Sequence, residues 1–295
     1  MKRASDLAVT GLCWASALGT LGAVGVLLGF LLLRGGPALD LRLLFGDAPA
    51  WLALTGRVPV WDGLWPALVG TLCVVVLASA LALPVGVGAG IHLAEFAREP
   101  WRSRVTFAID LLAGVPSIVM GLFGFALILL LRSTFAPRAN TSLLLSAACV
   151  ALLILPYLVR STQGALESLP AYLRLVGPSL GMTPWQNLIH VLLPAASRSL
   201  FGGVVLALGR AAEDTAVILM TGVVANAGVP RALGDKFEAL PFAIFYRAAE
   251  YRDSADLARG FGAALILLAL TWGLLLGARA LQAGLEARWT VGGEP

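Results

Sequence analysis

The sequence predicts an all-α integral membrane protein with about six transmembrane helices, and three observations carry that reading. Hydrophobic residues make up 59% of the chain and charged residues 13%, against about 25% charged in a typical soluble domain. Mean hydropathy is +0.87. Apolar runs long enough to cross the hydrocarbon core, about 20 residues each, recur from one end to the other. A single membrane domain is therefore expected over residues 1–295.

The expected spans are Leu7–Leu33, Leu64–Ile91, Val105–Leu131, Thr141–Leu158, Leu200–Val224 and Gly260–Leu281. The first follows Lys2 and Arg3, and its apolar stretch is too long for a signal-peptide core, so a retained span is expected. The fourth is the shortest and carries Pro156 near its end. Trp51, Trp61, Trp65, Trp101, Trp185 and Trp289 fall near span ends, where the amphipathic indole suits the interface. The longest polar segments are 34–63, 159–199 and 225–258. Lys and Arg divide about evenly between the two sides, so only Lys2 and Arg3 vote, placing the N-terminus in the cytoplasm.

Gly86 and Gly90, and Gly203, Ala207 and Ala211, recur at four-residue spacing. That spacing lets helix backbones approach closely in lipid, where no hydrophobic force draws helices together. Cys13, Cys73 and Cys149 all fall in apolar runs without metal-ligand spacing and read as small buried hydrophobes. The net charge of +4 is scattered, with no basic cluster suited to nucleic acid.

Segment 159–199 is too polar to span. Arg160–Leu180 reads as a helix interrupted by Pro170 and Pro178, with Gly181 as its stop. In Thr183-Pro184-Trp185-Gln186, Thr183 caps a second helix, Pro184 fits its first position and Gln186 closes a capping box. This helix is expected to run through Ile189 and His190 to Leu193, with Pro194 following. A helix–turn–helix thus protrudes between two spans, unless it is an amphipathic hairpin lying on the membrane surface.

Gly181, nine residues, then Val191-Leu192-Leu193-Pro194 resembles the G-x9-I-x-L-P half of the EAA motif of ABC importer permeases. Three further stretches are similar to the phosphate (Pst) importer permeases, and to the PstA type more than the PstC type. They are Leu83-Pro84-Val85-Gly86-Val87-Gly88, Ala113–Val119 with Gly121-Leu122-Phe123-Gly124, and Arg210–Ala216. The likeness covers roughly 64–282. It implies a type I ABC importer permease fold whose cytoplasmic coupling helix, about Thr183–Leu193, docks on an ATPase. It also implies a bacterial inner-membrane location, with both termini cytoplasmic and segments 34–63 and 225–258 outside. The implied partners are a PstC-like second permease, two PstB-like ATP-binding subunits and a PstS-like phosphate-binding protein. The chain itself would bind no cofactor, ATP and Mg being used by the ATPase. Two departures stand out. Leu175-Val176-Gly177 replaces the usual Glu-Ala-Ala, with Glu167, about two turns earlier, as the acid that would supply a charge to the ATPase in its place. Glu213-Asp214-Thr215 replaces Gly-Glu-Thr.

Arg210, Glu213 and Asp214 fall mid-span. A charge near the bilayer centre costs about 2.5–3.5 kcal/mol on an insertion scale, so such groups should face protein or water. Arg210 stands three and four residues from the acids, within reach on one helix face. The set reads either as a structural ion pair or as part of an anion path. In the latter, the planar guanidinium fork binds an oxyanion, the acids hold and moderate it, and Thr215 and Thr221 add hydroxyl donors. Asp110 is expected at the cytoplasmic interface. The loop Phe237–Tyr246 reads as a short interfacial helix at the outer face. His92 and His190 are isolated and no metal site is expected.

No G-x-x-x-x-G-K-[ST] loop occurs, so ATP is not bound by that route, and no H-E-x-x-H or G-x-S-x-G triad pattern supports hydrolysis. The favoured function is a phosphate importer permease that is not catalytic by itself. A permease for molybdate, tungstate or sulfate remains an alternative, as do a secondary transporter and a transport-inert membrane scaffold. The secondary transporter leaves the capped helix–turn–helix unexplained, and a catalytically inert scaffold or regulatory membrane protein predicts that Arg210→Ala leaves transport untouched.

Overall fold

A computed structural model describes residues 2–290; the side chains of 2–8, 281 and 285–290, including those of Lys2, Arg3 and Trp289, lie outside the described set. Among the described residues six helical stretches are long and apolar enough to cross a membrane. In chain order the elements are α1 (Lys2–Gly35), the short α2 (Leu41–Phe45) and α3 (Ala50–Leu54), α4 (Trp65–Ile91), α5 (Trp101–Ala113) and α6 (Ser117–Thr134). Then follow α7 (Leu143–Glu167), α8 (Ala171–Ser179), α9 (Pro184–Asn187), α10 (Leu193–Glu213), α11 (Ala216–Thr221), α12 (Leu240–Ala249) and α13 (Ser254–Thr290). One-turn π-helical segments extend α4 over His92–Phe96 and join α9 to α10 over Leu188–Leu192.

α7 is the central element, begun by Ser142, whose hydroxyl accepts from Leu145 N. It is the most buried of the crossing helices. α4 runs parallel to it, since a Cβ added at Gly86 would lie 2.6 Å from Leu158 Cβ, and one at Gly90 would lie 2.5 Å from Thr162 Cβ and 2.7 Å from the Val159 carbonyl. α10 approaches from another side, where a Cβ at Gly203 would lie 2.2 Å from Ser161 Oγ, while Ala207 and Ala211 are buried. The expected small-residue seams are therefore the contacts that hold α4 and α10 against α7. Val75, Ala78, Ala147, Val150, Ile154 and Val217 fill the common core. At one end, here the base, Leu166, Leu188, Leu192 and Ala196 form a second cluster beneath α8 and α9. At the far end Leu43, Leu64, Leu240 and Ala263 form another. α1 reaches that far end too, where Gly35 lies against the Phe261 backbone.

Four spans differ from the sequence expectation, the sixth by running from Ser254 to Thr290 in place of the expected Gly260–Leu281. The third crossing is not one helix, because α5 stops at Ala113 and α6 starts at Ser117. Pro116 has no N–H to donate and drives an extended backbone, which ends α5 and starts α6. The fourth is longer than expected. α7 takes in Pro156 and continues to Glu167, so the first half of the supposed loop helix belongs to the span. The fifth neither begins at Leu200 nor runs to Val224. It is continuous from Pro184 through Pro194, then breaks at Asp214, whose backbone is extended. The π turn before Pro194, in which Leu193 N bonds Leu188 O, replaces the i to i−4 ladder where the proline ring would clash. Cys13 also departs from expectation, being exposed on α1, whereas Cys149 is buried and Cys73 half-buried. The expected outer helix at Phe237–Tyr246 is α12, displaced to Leu240–Ala249, with Phe237 wholly buried and paired to Val223 in an isolated parallel bridge.

The α4–α7 seam makes a paired prediction. Gly90→Ala should lower stability by about 1–3 kcal/mol through overpacking against backbone, whereas Gly88→Ala, which meets nothing within 4 Å, should not. Thermal unfolding of the two variants in the same detergent distinguishes them; equal melting temperatures would remove the seam as a packing constraint.

Candidate functional site

Two places gather the predicted functional residues: the base and the pair of helix breaks. At the base, Gly181 adopts φ +76°, a left-handed turn that suits glycine, and ends α8. Thr183 and Gln186 form the expected capping box, with Gln186 N donating to Thr183 Oγ1 at 3.3 Å and Thr183 N to Gln186 Oε1 at 2.8 Å. The box orients a helix whose two sides differ. Leu188 and Leu192 point into the base cluster, while Trp185 (59% exposed) and Ile189 (41%) point outward. Leu193 and Pro194 are half-buried where this helix becomes α10. Tyr172, Leu175 and Leu180 of the α8 segment are also exposed, so an apolar surface covers both arms of the hairpin. Leu175 occupies the place of the usual acid on that surface.

Polar ties hold the hairpin to the bundle, and most involve residues the sequence pattern does not single out. Arg174 Nη2 donates to Glu95 Oε1 at 3.0 Å and to the Leu166 carbonyl at 2.8 Å, tying α8 to the segment after α4 and to the end of α7. Asn187 Nδ2 donates to the Arg174 carbonyl at 3.2 Å. A Cβ at residue 177 would stand 2.3 Å from Asn187 Oδ1. Gly177 thus permits the close contact of α8 with α9. Glu167 does not face outward alone: it pairs with Arg102 and accepts from Gln163 Nε2 at 2.7 Å. Asp110 accepts from Arg160 Nε at 2.7 Å and from Arg160 Nη2 at 2.5 Å. Arg160 Nη1 also donates to Gln163 Oε1 at 3.3 Å, so one polar chain links α5 to α7. No side chain of α5 is fully buried, which leaves these links as its specific anchors to α7.

The second place is the meeting of the two breaks. Asp214 leaves α10 and turns inward, only 7% exposed, where its Oδ1 accepts from Val217 N at 2.8 Å. The carboxylate thereby satisfies an otherwise orphaned N–H in the first turn of α11. Ser117, the first residue of α6, and Arg210 lie beside it. Gly121 presses on the Ala216 carbonyl and Gly124 on Thr221, so the half-helices α6 and α11 pack directly together. Arg210 and Glu213 remain on α10 and are exposed on this chain's open side. The expected one-face arrangement of Arg210 with both acids is therefore not found: Asp214 is on a different backbone course, and among the described residues no ion pair joins Arg210 to either acid. Thr215 is half-buried at the break. Thr221 is fully buried, with Oγ1 2.9 Å from Ser146 Oγ and 2.7 Å from the Val217 carbonyl, and so serves packing and not an open path.

Six crossings, a protruding hairpin at the base and broken helices at depth define the type I ABC importer permease fold. Solved structures agree at the level of fold. An inward-facing MetNI methionine ABC transporter aligns with a TM-score of 0.58 at 17% identity, over 80% of this chain and 96% of that one. A bacterial ABC transporter involved in the import of the acidic polysaccharide alginate aligns with a TM-score of 0.56 at 12% identity, over 90% and 95%. Residues 82–291 match the family model described as binding-protein-dependent transport system inner membrane component, and the chain belongs to that family. Among curated proteins it is similar to the phosphate transport system permease protein PstA of Mycobacterium leprae, 34% identical over 72% of this chain and 68% of that protein. The PstA of Haemophilus influenzae is 32% identical over 81% and 80%, and a PstC of Mesorhizobium japonicum 30% identical over 62% and 60%.

The cap at the break separates geometry from charge. Asp214→Ala should cost about 0.5–2 kcal/mol by losing an N-terminal helix cap, while Asp214→Asn keeps an acceptor for Val217 N and should melt near the parent. Thermal unfolding of both variants checks this, and equal losses would show that the carboxylate charge, not the cap, stabilises the break.

Proposed function

We propose that the chain is the membrane-spanning permease subunit of an ATP-driven phosphate importer, forming half of the translocation pathway and taking its energy from a separate ATPase. The observation that carries this reading is the likeness to PstA proteins at 30–34% identity over most of the chain. A base hairpin that buries Leu188 and Leu192 yet exposes Trp185 and Ile189 supports the coupling role. In this reading the base faces the cytoplasm of a bacterium, both termini lie on that side, and α12 faces outward. A second permease of the PstC type completes the pathway, two ATP-binding subunits dock at the base, and an extracytoplasmic phosphate-binding protein delivers at the far end. ATP and Mg are bound by the ATPase, and this chain catalyses nothing by itself.

The geometry supports a role for each residue. Trp185, Ile189 and the neighbouring apolar side chains of α8 fill a groove on the ATPase. Gly181, Thr183, Pro184, Leu193 and Pro194 shape and anchor the helix that presents them. Glu167, engaged with Arg102, adjusts α5 at that same end. On α10, Arg210 offers a guanidinium to the passing oxyanion. Glu213 beside it weakens the hold, because a site that binds too tightly does not conduct.

Each role has a separable test. Ile189→Asp or Trp185→Asp should leave membrane insertion intact and reduce ATPase co-purification to background; normal co-purification of both would remove the docking assignment. In liposomes containing the complete complex, ATP-dependent uptake should favour phosphate over molybdate, tungstate and sulfate. Arg210→Gln should abolish that uptake while the ATPase stays bound. Full uptake by this variant would return Arg210 to a structural role, and preference for another oxyanion would move the substrate while keeping the architecture.

A further inference from the structure

At the far end, away from Arg210, a cavity of about 310 Å³ lies between α12, the start of α13 and the segment before α4. Its wall carries three guanidinium groups, Arg247, Arg252 and Arg259, together with the four carboxylates of Asp62, Glu238, Glu250 and Asp256. The first of these cations is unusual. Arg247 is half-buried, its Nη1 is shielded from solvent, and that atom has no hydrogen-bond partner. The nearby carboxylates do not reach it as ion pairs. Asp256 instead approaches Arg259 at 3.8 Å, and Glu238 accepts from the Gly228 N–H at 2.9 Å. Burial, with Arg259 alongside, pushes the Arg247 guanidinium down from its ordinary value. A buried charge without a partner is costly, and proteins normally pair such a group or give it a ligand.

We propose that this cavity is a second anion site, with Arg247 as its anchor, that takes a phosphate-type oxyanion still carrying a proton. The guanidiniums donate to the anion's oxygens. The carboxylates on the same wall accept from its O–H. Inorganic phosphate near neutral pH offers both kinds of atom, whereas sulfate has no proton to give and meets the carboxylates only as like charges. A phospholipid headgroup shares the phosphate chemistry, and Trp61 on the rim suits the membrane interface. The site's existence stands on its own geometry. Its service as an entry station rests on the proposed transport of phosphate.

The test uses the complete complex in lipid nanodiscs without ATP, so that it reads binding and not transport. Arginines are labelled with phenylglyoxal and Arg247 is followed by peptide mass spectrometry, with exposed Arg138 as the internal control. Trp61 fluorescence, taken as the difference from Trp61→Phe, is titrated in parallel and reads the cavity even if Arg247 reacts slowly. Inorganic phosphate should protect Arg247 selectively and shift the Trp61 signal, sulfate should do so less, and Arg247→Gln should weaken the titration about ten-fold or more. The effect should persist in Arg210→Gln. An Arg247 signal that ignores added phosphate but changes on delipidation assigns the same chemistry to a lipid headgroup. Indifference of both signals to phosphate and to delipidation overturns the proposal. Binding here without phosphate uptake by the parent complex would refute the transport reading and leave the site.

Discussion

The bilayer interior offers no water to a backbone N–H or C=O, and the organisation of this chain depends on that constraint. Unbroken helices meet it by themselves. A helix interrupted at depth does not, so each interruption here carries a local repair. At the α10–α11 break the Asp214 carboxylate takes the Val217 N–H. At the α5–α6 break Pro116 brings no N–H of its own, and Gly114 N bonds back to Asp110 and Leu111. The two repaired breaks sit side by side, so irregular backbone is shielded by irregular backbone. Non-helical segments at membrane depth persist only where protein or a cavity covers them. Arg210 and Glu213, next to the breaks but facing off the chain, mark the direction in which that cover ends.

The second organising feature is the difference between the two sides of the base hairpin. Its inner side is held by directional contacts: Arg174 spans Glu95 and two carbonyls, and Asn187 meets Arg174 and crowds Gly177. Its outer side carries exposed apolar side chains, among them Trp185, Ile189, Tyr172 and Leu175. A hairpin fixed by hydrogen bonds on one side and greasy on the other presents a preformed surface, and preformed surfaces lose less ordering entropy on association. Leu175, exposed on α8, extends that apolar surface. Docking of the proposed ATPase at this point would draw on buried area more than on charge.

What was legible in the sequence and what was not divides along the distance between the residues involved. The capping box of Thr183 and Gln186 is written within four positions and appears as read. The Gly86, Gly90 and Gly203 spacing points to the packed faces because small residues at helical period let helix backbones approach closely. The breaks were obscured because Pro116 and Asp214 lie inside runs whose apolar neighbours read as continuous spans. The Arg174–Glu95 tie joins residues 79 positions apart, and nothing local to either announces the other. The charges of Arg210, Glu213 and Asp214 single out the cluster, but the helical spacing expected for all three holds only as far as Glu213. Helical spacing was assumed through a residue whose role is to end the helix.

That error of geometry bears on how the two ends communicate. From Pro184 to Glu213 the chain is one helical track of 30 residues, about 45 Å at 1.5 Å per residue. One end is the exposed apolar surface of the base hairpin and the other is the break beside Arg210. A continuous helix is stiff along its axis, and this one is gripped by α7 at Gly203, near its middle. A tilt imposed at Trp185 would therefore be carried along the track toward Arg210, past the seam of Gly203, Ala207 and Ala211. The π turn at Leu188–Leu192 is the one place along the track where the ladder is loosened, and Leu188 and Leu192 are there clamped in the base cluster. The clamp stiffens the weak point, and the interruption at Asp214 frees the Arg210 end from α11. Had the fifth span run unbroken to Val224, as its apolarity suggests, the same tilt would have dragged the far-end loop with it.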